Sequence, residues 1–328
     1  MTGRSVAVVV AVLALTAVPY AITEIYYVNI ASQILLYAVF ALGLSVLVGY
    51  AGLVSLGHAG IFGVASYAVA YLLAAGQGHA GAIVTGLAIA LVVTAGFAAL
   101  SLRSTGISFI MITLALGEIA WGLAYRWISV TNGDNGINVA TRPAPFGLAL
   151  NSARGFYGAT LVVFLLAVAG VAIFVRSPFG AALCGTRDQA RRMTALGYHV
   201  WMIRFWAFMF SGLLTSVAGI LFLYYNQFIS PQAVALAASA EGLLMVISGG
   251  AGTLLGPIVG AALVVIIKNV ASAYVERWNF LLGAIFVAIV VFMPEGLVPG
   301  AVRLARTAWR AIGRRKLAAP APVAEPKP

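Results

Sequence analysis

Eight acidic side chains and three histidines stand among 328 residues, so each one inside an apolar run calls for a reason. Glu118 sits in the middle of ISFIMITLALGEIAWGLAY. A carboxylate centred in a membrane span costs about 2.5–3.5 kcal/mol on an insertion scale, so it needs a partner or water. It can serve as a carrier of protons or as a hydrogen-bonding group between helices. The structural role is favoured, because no second intramembrane carboxylate or histidine forms a relay with it. Glu241 lies near the end of an apolar run, where its carboxylate snorkels to water. His58 follows Ser55 within a glycine-rich segment and reads as a packing histidine rather than a ligand.

Enzymatic motifs are absent. The chain has no GxxxxGK[ST] loop to cradle a nucleotide phosphate, and no HExxH, CxxC or GxSxG. Its one cysteine, Cys184, has neither a disulfide partner nor a ligand cluster around it. No catalytic residue, metal site or cofactor is assigned to this chain. A transporter or channel remains, energised by an ion gradient or by another subunit.

The elements that position these residues are membrane helices. Apolar residues make up 62% of the sequence and charged residues 8%, and the mean hydropathy is +1.04, against roughly 25% charged in globular proteins. We expect an all-α polytopic bundle of about ten spans. They fall near residues 5–22, 28–48, 61–75, 81–102, 106–125, 157–175, 205–225, 235–248, 257–268 and 279–293. With both termini cytoplasmic, fourteen of the nineteen basic residues fall on inner segments, as the positive-inside rule requires. The same clustering at span ends makes the +11 charge a matter of membrane topology rather than of nucleic-acid binding.

One long polar connection, 176–204, faces inward. It carries Arg176, Arg187, Asp188, Arg191, Arg192 and Arg204, with Pro178 and Gly180 at its entrance and Gly197 near its exit. We read it as the grip for an external motor. Two segments break the helical pattern: Gly49 to Gly63, with Gly52, Ser55, Gly57 and His58, and Gly249 to Gly260, with Gly250 and Gly252. Backbone broken at membrane depth is tolerated where it is buried in protein or lines a watery path, and transporters use paired interrupted helices in this way. The alternatives are ordinary turns or small residues for close packing. The outer loop 126–156 is rich in turn formers and reads as a docking surface. Residues 301–316 form a basic amphipathic helix on the inner leaflet, and 317–328 an Ala/Pro-rich disordered tail.

Several stretches together resemble a known family. They are GYAGLVSLGHAGIFG from Gly49, GISFIMITLALGEI from Gly106, TNGDNGI from Thr131, SPFGAALCGTRDQARRMTALGY from Ser177, SPQAVALAASAEGLLMVISGGAGT from Ser230 and MPEGL from Met293. In this order they are similar to permease subunits of bacterial branched-chain amino-acid ABC importers, M-type (LivM). The resemblance implies a multi-pass subunit of the bacterial inner membrane. Its partners would be an H-type permease, two ABC ATPase subunits carrying ATP and Mg, and a periplasmic or lipid-anchored binding protein. It makes Ser177 to Gly197 a rigid coupling helix, with Ser177, Pro178, Gly180, Arg187, Asp188, Arg191, Arg192, Leu196 and Gly197 at the ATPase contact. Thr131, Asn132, Gly133, Asn135 and Gly136 would meet the binding protein. The glycine segments, with Glu118 and Glu241, would border the path. Ala190 and Arg192 stand where the family commonly has an acidic residue and alanine, so a complementary charge is expected on the ATPase. Trp121 stands where an Arg commonly follows the span's Glu. The competing readings are a proton-coupled carrier centred on Glu118 and a passive channel for urea-like solutes.

Overall fold

The computed structural model describes residues 24–139, 142 and 152–274, with isolated positions toward both ends. The spans expected at 5–22 and 279–293, the amphipathic helix and the tail lie outside the described residues, apart from single positions. The eight spans expected between 28 and 268 each fall on a helix.

Helix α1 (Ile25–Ser45) runs into a π-helical turn, Val46–Ala51, which ends on Gly52. After an extended stretch, α2 (His58–Ala74) begins. α3 (His79–Ser101) and α4 (Ile107–Arg126) follow, then a short α5 (Ile128–Thr131) and a 3-10 turn, Gly133–Asn135. Strand β1 (Ile137–Asn138) precedes α6 (Ala153–Arg176), α7 (Pro178–Ala195) and α8 (Val200–Asn226). Strand β2 (Phe228–Ile229), a 3-10 turn (Pro231–Val234), α9 (Leu236–Gly249) and α10 (Gly256–Tyr274) complete the described order.

Five helical stretches are long and apolar enough to cross a membrane: Ile25–Ala51, His79–Ser101, Ile107–Arg126, Ala153–Arg176 and Val200–Asn226. The apolar helices α2 and α9 are shorter, at 17 and 14 residues. At 1.5 Å per residue they extend about 25 and 21 Å, short of a hydrocarbon core of about 30 Å. As helices alone they are too short to cross it, and each has irregular backbone beside it.

α8 is the centre of the bundle and packs on α1, α2 and α3. Lipid offers no hydrophobic drive for helices to meet, so close approach must come from small residues that let backbones touch. Three positions show it. A Cβ on Gly43 of α1 would lie 2.9 Å from the Ser211 carbonyl oxygen; on Gly212 it would strike Thr94 of α3; on Gly219 it would strike the Phe62 carbonyl of α2. Several buried hydroxyls of the bundle return to carbonyls of their own helix. Ser32, Thr94, Ser101 and Thr160 bond four residues back, so none of these buried hydroxyls goes unpaired at membrane depth.

The two ends of the bundle differ. One carries the polar helix α7. At the other, β1 and β2 pair antiparallel, Ile137 opposite Ile229 and Asn138 opposite Phe228. Arg142 reinforces that end by donating to the carbonyls of Tyr224 and Tyr225 at 2.8 and 3.0 Å, with its guanidinium 4.7 Å from the Phe156 ring centroid. These carbonyls are among those that the end of α8 leaves without helical partners, and a cation suits a helix C-terminus. Burial lowers the pKa of the Arg142 guanidinium, and Tyr225 acts the opposite way.

Candidate functional site

The first break is a helix that stops, leaves the helical path for six residues and restarts inside the bundle. Gly52 ends the π-helical turn with φ +69°, a left-handed conformation that costs glycine least. His58, which opens α2, meets Ser211, eleven residues into α8. That point lies about 16 Å from the α8 start, near mid-depth.

The backbone donors across this gap are largely accounted for. Leu53 N–H bonds the Leu47 carbonyl, Leu56 N–H the Thr113 hydroxyl of α4, Ala59 N–H the Ser239 hydroxyl of α9, and Gly60 N–H the Gly57 carbonyl. Two elements distant in sequence therefore help to complete one turn of broken backbone. Ser239 lies in the stretch from Ser230 that leads into the second glycine segment. Thr113 and Ser211 were missed in the sequence reading; the available signal was a lone hydroxyl inside an apolar run.

His58 is fully buried within the chain. Its Nδ1 lies 2.8 Å from Ser55 Oγ and its Nε2 2.9 Å from Ser211 Oγ. Ser211 donates its own proton to the Gly43 carbonyl at 2.6 Å, so its oxygen accepts from Nε2–H, and Nδ1 accepts from the Ser55 hydroxyl. Both ring nitrogens are used, and the histidine ties α1, the break and α8 together.

The two glycine segments meet. Gly49 packs its backbone on that of Gly252, so a Cβ at 49 would collide with the Gly252 nitrogen and lie 2.7 Å from its Cα. Gly252 has φ +82°, and a side chain there would be strained whatever the space. Within the second segment, Gly249 packs against the Gly256 carbonyl and Gly260 against the Met245 carbonyl, so α9 and α10 touch backbone to backbone. Gly49, Ser55, Gly57, Gly249 and Gly250 are buried, whereas Gly52 is exposed and Gly252 half-exposed.

α7 reaches this junction directly. Ser177 caps it, accepting from Gly180 N–H at 3.2 Å, with Pro178 in the first turn where no donor is required. Arg187 Nη1 donates to the Gly49 carbonyl at 2.8 Å, and its stem lies against Gly52, where a Cβ would come within 2.6 Å of Arg187 Cγ. Its Nε pairs with Asp188 at 2.9 Å. Arg204, at the start of α8, donates to the Thr186 carbonyl at 2.8 Å. The polar helix is thus bonded to the first break, and the first break lies against the second.

A single rigid helix from Ser177 to Gly197 is not what forms. Gln189 has φ −149° and ψ 83° and divides α7 into two legs. Gly185 accounts for the fold-back, since a Cβ there would sit 2.7 Å from Met193 Sδ of the second leg. Asp188, Arg191, Arg192, Leu196 and Gly197 are exposed. Gly197, with φ +86°, ends the second leg.

The remaining candidates are dispersed. Glu118 is exposed on α4, whose buried stripe runs through Phe109, Thr113, Gly117, Ala120 and Ala124. Among the described residues it has no hydrogen bond or ion pair, and the expected interhelical partner is not found there. In the outer loop, Thr131, Gly133 and Gly136 are buried in the turn, while Asn132, Asp134 and Asn135 are exposed. Asn132 holds the turn by donating to the Gly136 carbonyl at 3.0 Å. Glu241 is 27 residues from Lys268 and pairs with it across the α9–α10 hairpin at 3.0 Å, a partner that the sequence reading did not supply.

Residues 26–290 match the family model described as branched-chain amino acid transport system, permease component. The chain is 30% identical over 301 residues to the high-affinity branched-chain amino acid transport system permease protein LivM of Salmonella typhimurium, covering 83% of this chain and 70% of that protein. It is 31% identical to LivM of Escherichia coli over the same shares. A partial likeness, 31% over 140 residues, extends to the autoinducer 2 import system permease protein LsrC of Yersinia enterocolitica, covering 40% of this chain and 39% of that one. No solved structure matches the chain.

Proposed function

The chain belongs to the branched-chain amino acid transport permease family, and we propose from this that it is the permease subunit of a binding-protein-dependent ABC importer for branched-chain amino acids. It is a multi-pass membrane protein and a transport subunit rather than an enzyme. In our reading it pairs with a second permease in the bacterial inner membrane, and two ATPases bind the α7 end. A binding protein delivers substrate at the β1–β2 end. ATP and Mg act on the ATPases alone.

The observation that carries the mechanism is the connection from Arg187 through Gly49 to Gly252. A motor that displaces α7 moves a side chain bonded to the point where α1 breaks, and that point lies against the break between α9 and α10. Interrupted helices swing at their breaks at little cost, because the glycines there impose few rotamer or steric barriers. Closure of the ATPases would thus be converted into alternating exposure of a path to either side. Arg191 and Arg192, exposed beyond the kink, give the ATPase a basic surface to oppose.

Uptake of leucine into sealed vesicles tests this reading. We expect it to require the ATPase subunits and ATP, and to survive collapse of the proton gradient. Uptake without any ATPase, abolished by a protonophore, would establish a gradient-driven carrier instead. Uptake indifferent to both energy sources would establish a channel. Glu118→Gln separates the first two readings at residue level. Substitutions at exposed positions usually change stability by about 0.5 kcal/mol or less, so uptake should stay within about twofold of the unsubstituted complex. Complete loss of uptake would place a charge or proton at Glu118 in the transport step.

A further inference from the structure

At the β1–β2 end, a cavity of about 630 Å³ opens between the end of α8, the Pro231–Val234 turn, α9 and α10. That volume falls within the roughly 300–1,000 Å³ of small-molecule sites. Its walls are mostly apolar, with Tyr37, Phe222, Phe228 and Leu244 among them. Into the same cavity face Glu241 and Lys268. The Lys268 ammonium donates to both Glu241 oxygens, at 3.0 and 3.2 Å, and the Lys268 and Glu241 side chains are 30% and 17% exposed.

We propose that this pair is the subsite at which the zwitterionic head of an amino acid is held on its way through the chain. The proposal rests on the importer reading and specifies what the importer recognises. A zwitterion carries an ammonium and a carboxylate on one carbon and no net charge, as does the pair. Its ammonium would lie against Glu241 and its carboxylate against Lys268, so each protein charge keeps a counter-charge while the substrate is bound. The aliphatic side chain would turn to the Phe222 and Leu244 wall. Urea and neutral amides offer no such pairing and would be held less firmly.

A purely structural ion pair explains less. A partly buried pair gains little or nothing over an apolar pair of the same shape, because desolvation offsets the Coulomb attraction. Nor does the hairpin need it, since α9 and α10 already touch through Gly249, Gly256 and Gly260. Two opposite charges kept on an apolar cavity wall, each still partly exposed, fit a ligand that carries both signs.

Four forms of the full complex test the proposal: Glu241→Gln, Lys268→Met, the exchanged pair Glu241→Lys with Lys268→Glu, and Ala237→Phe, which fills the cavity from an exposed position. L-leucine uptake into proteoliposomes is measured beside ATP hydrolysis stimulated by the loaded binding protein. Loss of a hydrogen-bonded charge predicts a fall in uptake of about tenfold or more for both single changes, with stimulated hydrolysis retained. The exchanged pair should remain as low, because its charges are reversed relative to the apolar wall. Ala237→Phe should be low as well. Recovery of uptake in the exchanged pair makes the ion pair a clamp and overturns the proposal. So does unsubstituted-level uptake in either single variant or in Ala237→Phe. Should a charge variant fail to assemble, Ala237→Phe, which leaves the pair intact, decides. Absence of ATP-dependent uptake by the unsubstituted complex is a different result: it removes the importer reading and the subsite with it.

Discussion

A Gly49→Val complex is expected to assemble and to transport leucine at a small fraction of the unsubstituted rate. The Gly49 Cα faces the backbone of Gly252, and even the first carbon of a side chain collides with that backbone nitrogen. Backbone cannot rotate aside as a long side chain can, so the two breaks must separate. Overpacking of this kind costs typically about 1–3 kcal/mol, which displaces a two-state equilibrium by about five- to 150-fold. If the contact between the breaks belongs to one state of the transport cycle, uptake falls by that factor while the surrounding helices remain packed. Gly158→Ala is the matched control, since a Cβ there meets nothing within 4 Å, and it should transport normally. The check is leucine uptake beside co-purification with the partner subunits. Normal uptake by Gly49→Val would remove the Gly49–Gly252 contact from the mechanism, and loss of assembly would make it purely structural.

The existence and placement of the helices were legible because hydropathy is a local property. Each expected span between 28 and 268 falls on a helix, and the glycine segments fall at the two breaks. Which residues those helices bring together is a tertiary matter. Gly49 and Gly252 are two hundred residues apart, and nothing in either segment's composition says that they touch. Glu241 and Lys268 lie on different helices, outside the three- or four-residue spacing by which a pair is read from one helix. The direction of Glu118 was open to a closer reading of phase. The small residues Gly117, Ala120 and Ala124 share a face with Thr113, and a helix that packs by close approach turns that face inward. The kink at Gln189 left no comparable trace, because no proline or glycine stands at the break. Its signal was indirect, in the Gly185 that makes room for Met193.

Arg187→Ala should uncouple the complex rather than disassemble it. The guanidinium is a charged donor to the Gly49 carbonyl, and its stem lies against Gly52. Removing it leaves the carbonyl without that partner and the left-handed turn without that contact. A hydrogen bond to a charged group is worth about 1.5–3 kcal/mol, so the grip of α7 on the break weakens by about ten- to a hundredfold. On the importer reading, the ATPases are expected still to bind the exposed legs of α7 and still to hydrolyse ATP. Leucine transported per ATP consumed should fall by about tenfold or more. Arg187→Lys should not restore it, because an ammonium lacks the planar fork that serves Asp188 and Gly49 at once. Asp188→Ala is the informative contrast. Its pair with Arg187 is exposed at 41% and 64%, and exposed pairs contribute about 0–1 kcal/mol, so coupling should change little. Equal uncoupling by both substitutions would place the effect on the charged surface offered to the ATPase. Uncoupling by Arg187→Ala alone places it on the bond to Gly49, a link through which movement of α7 would reach both broken helices.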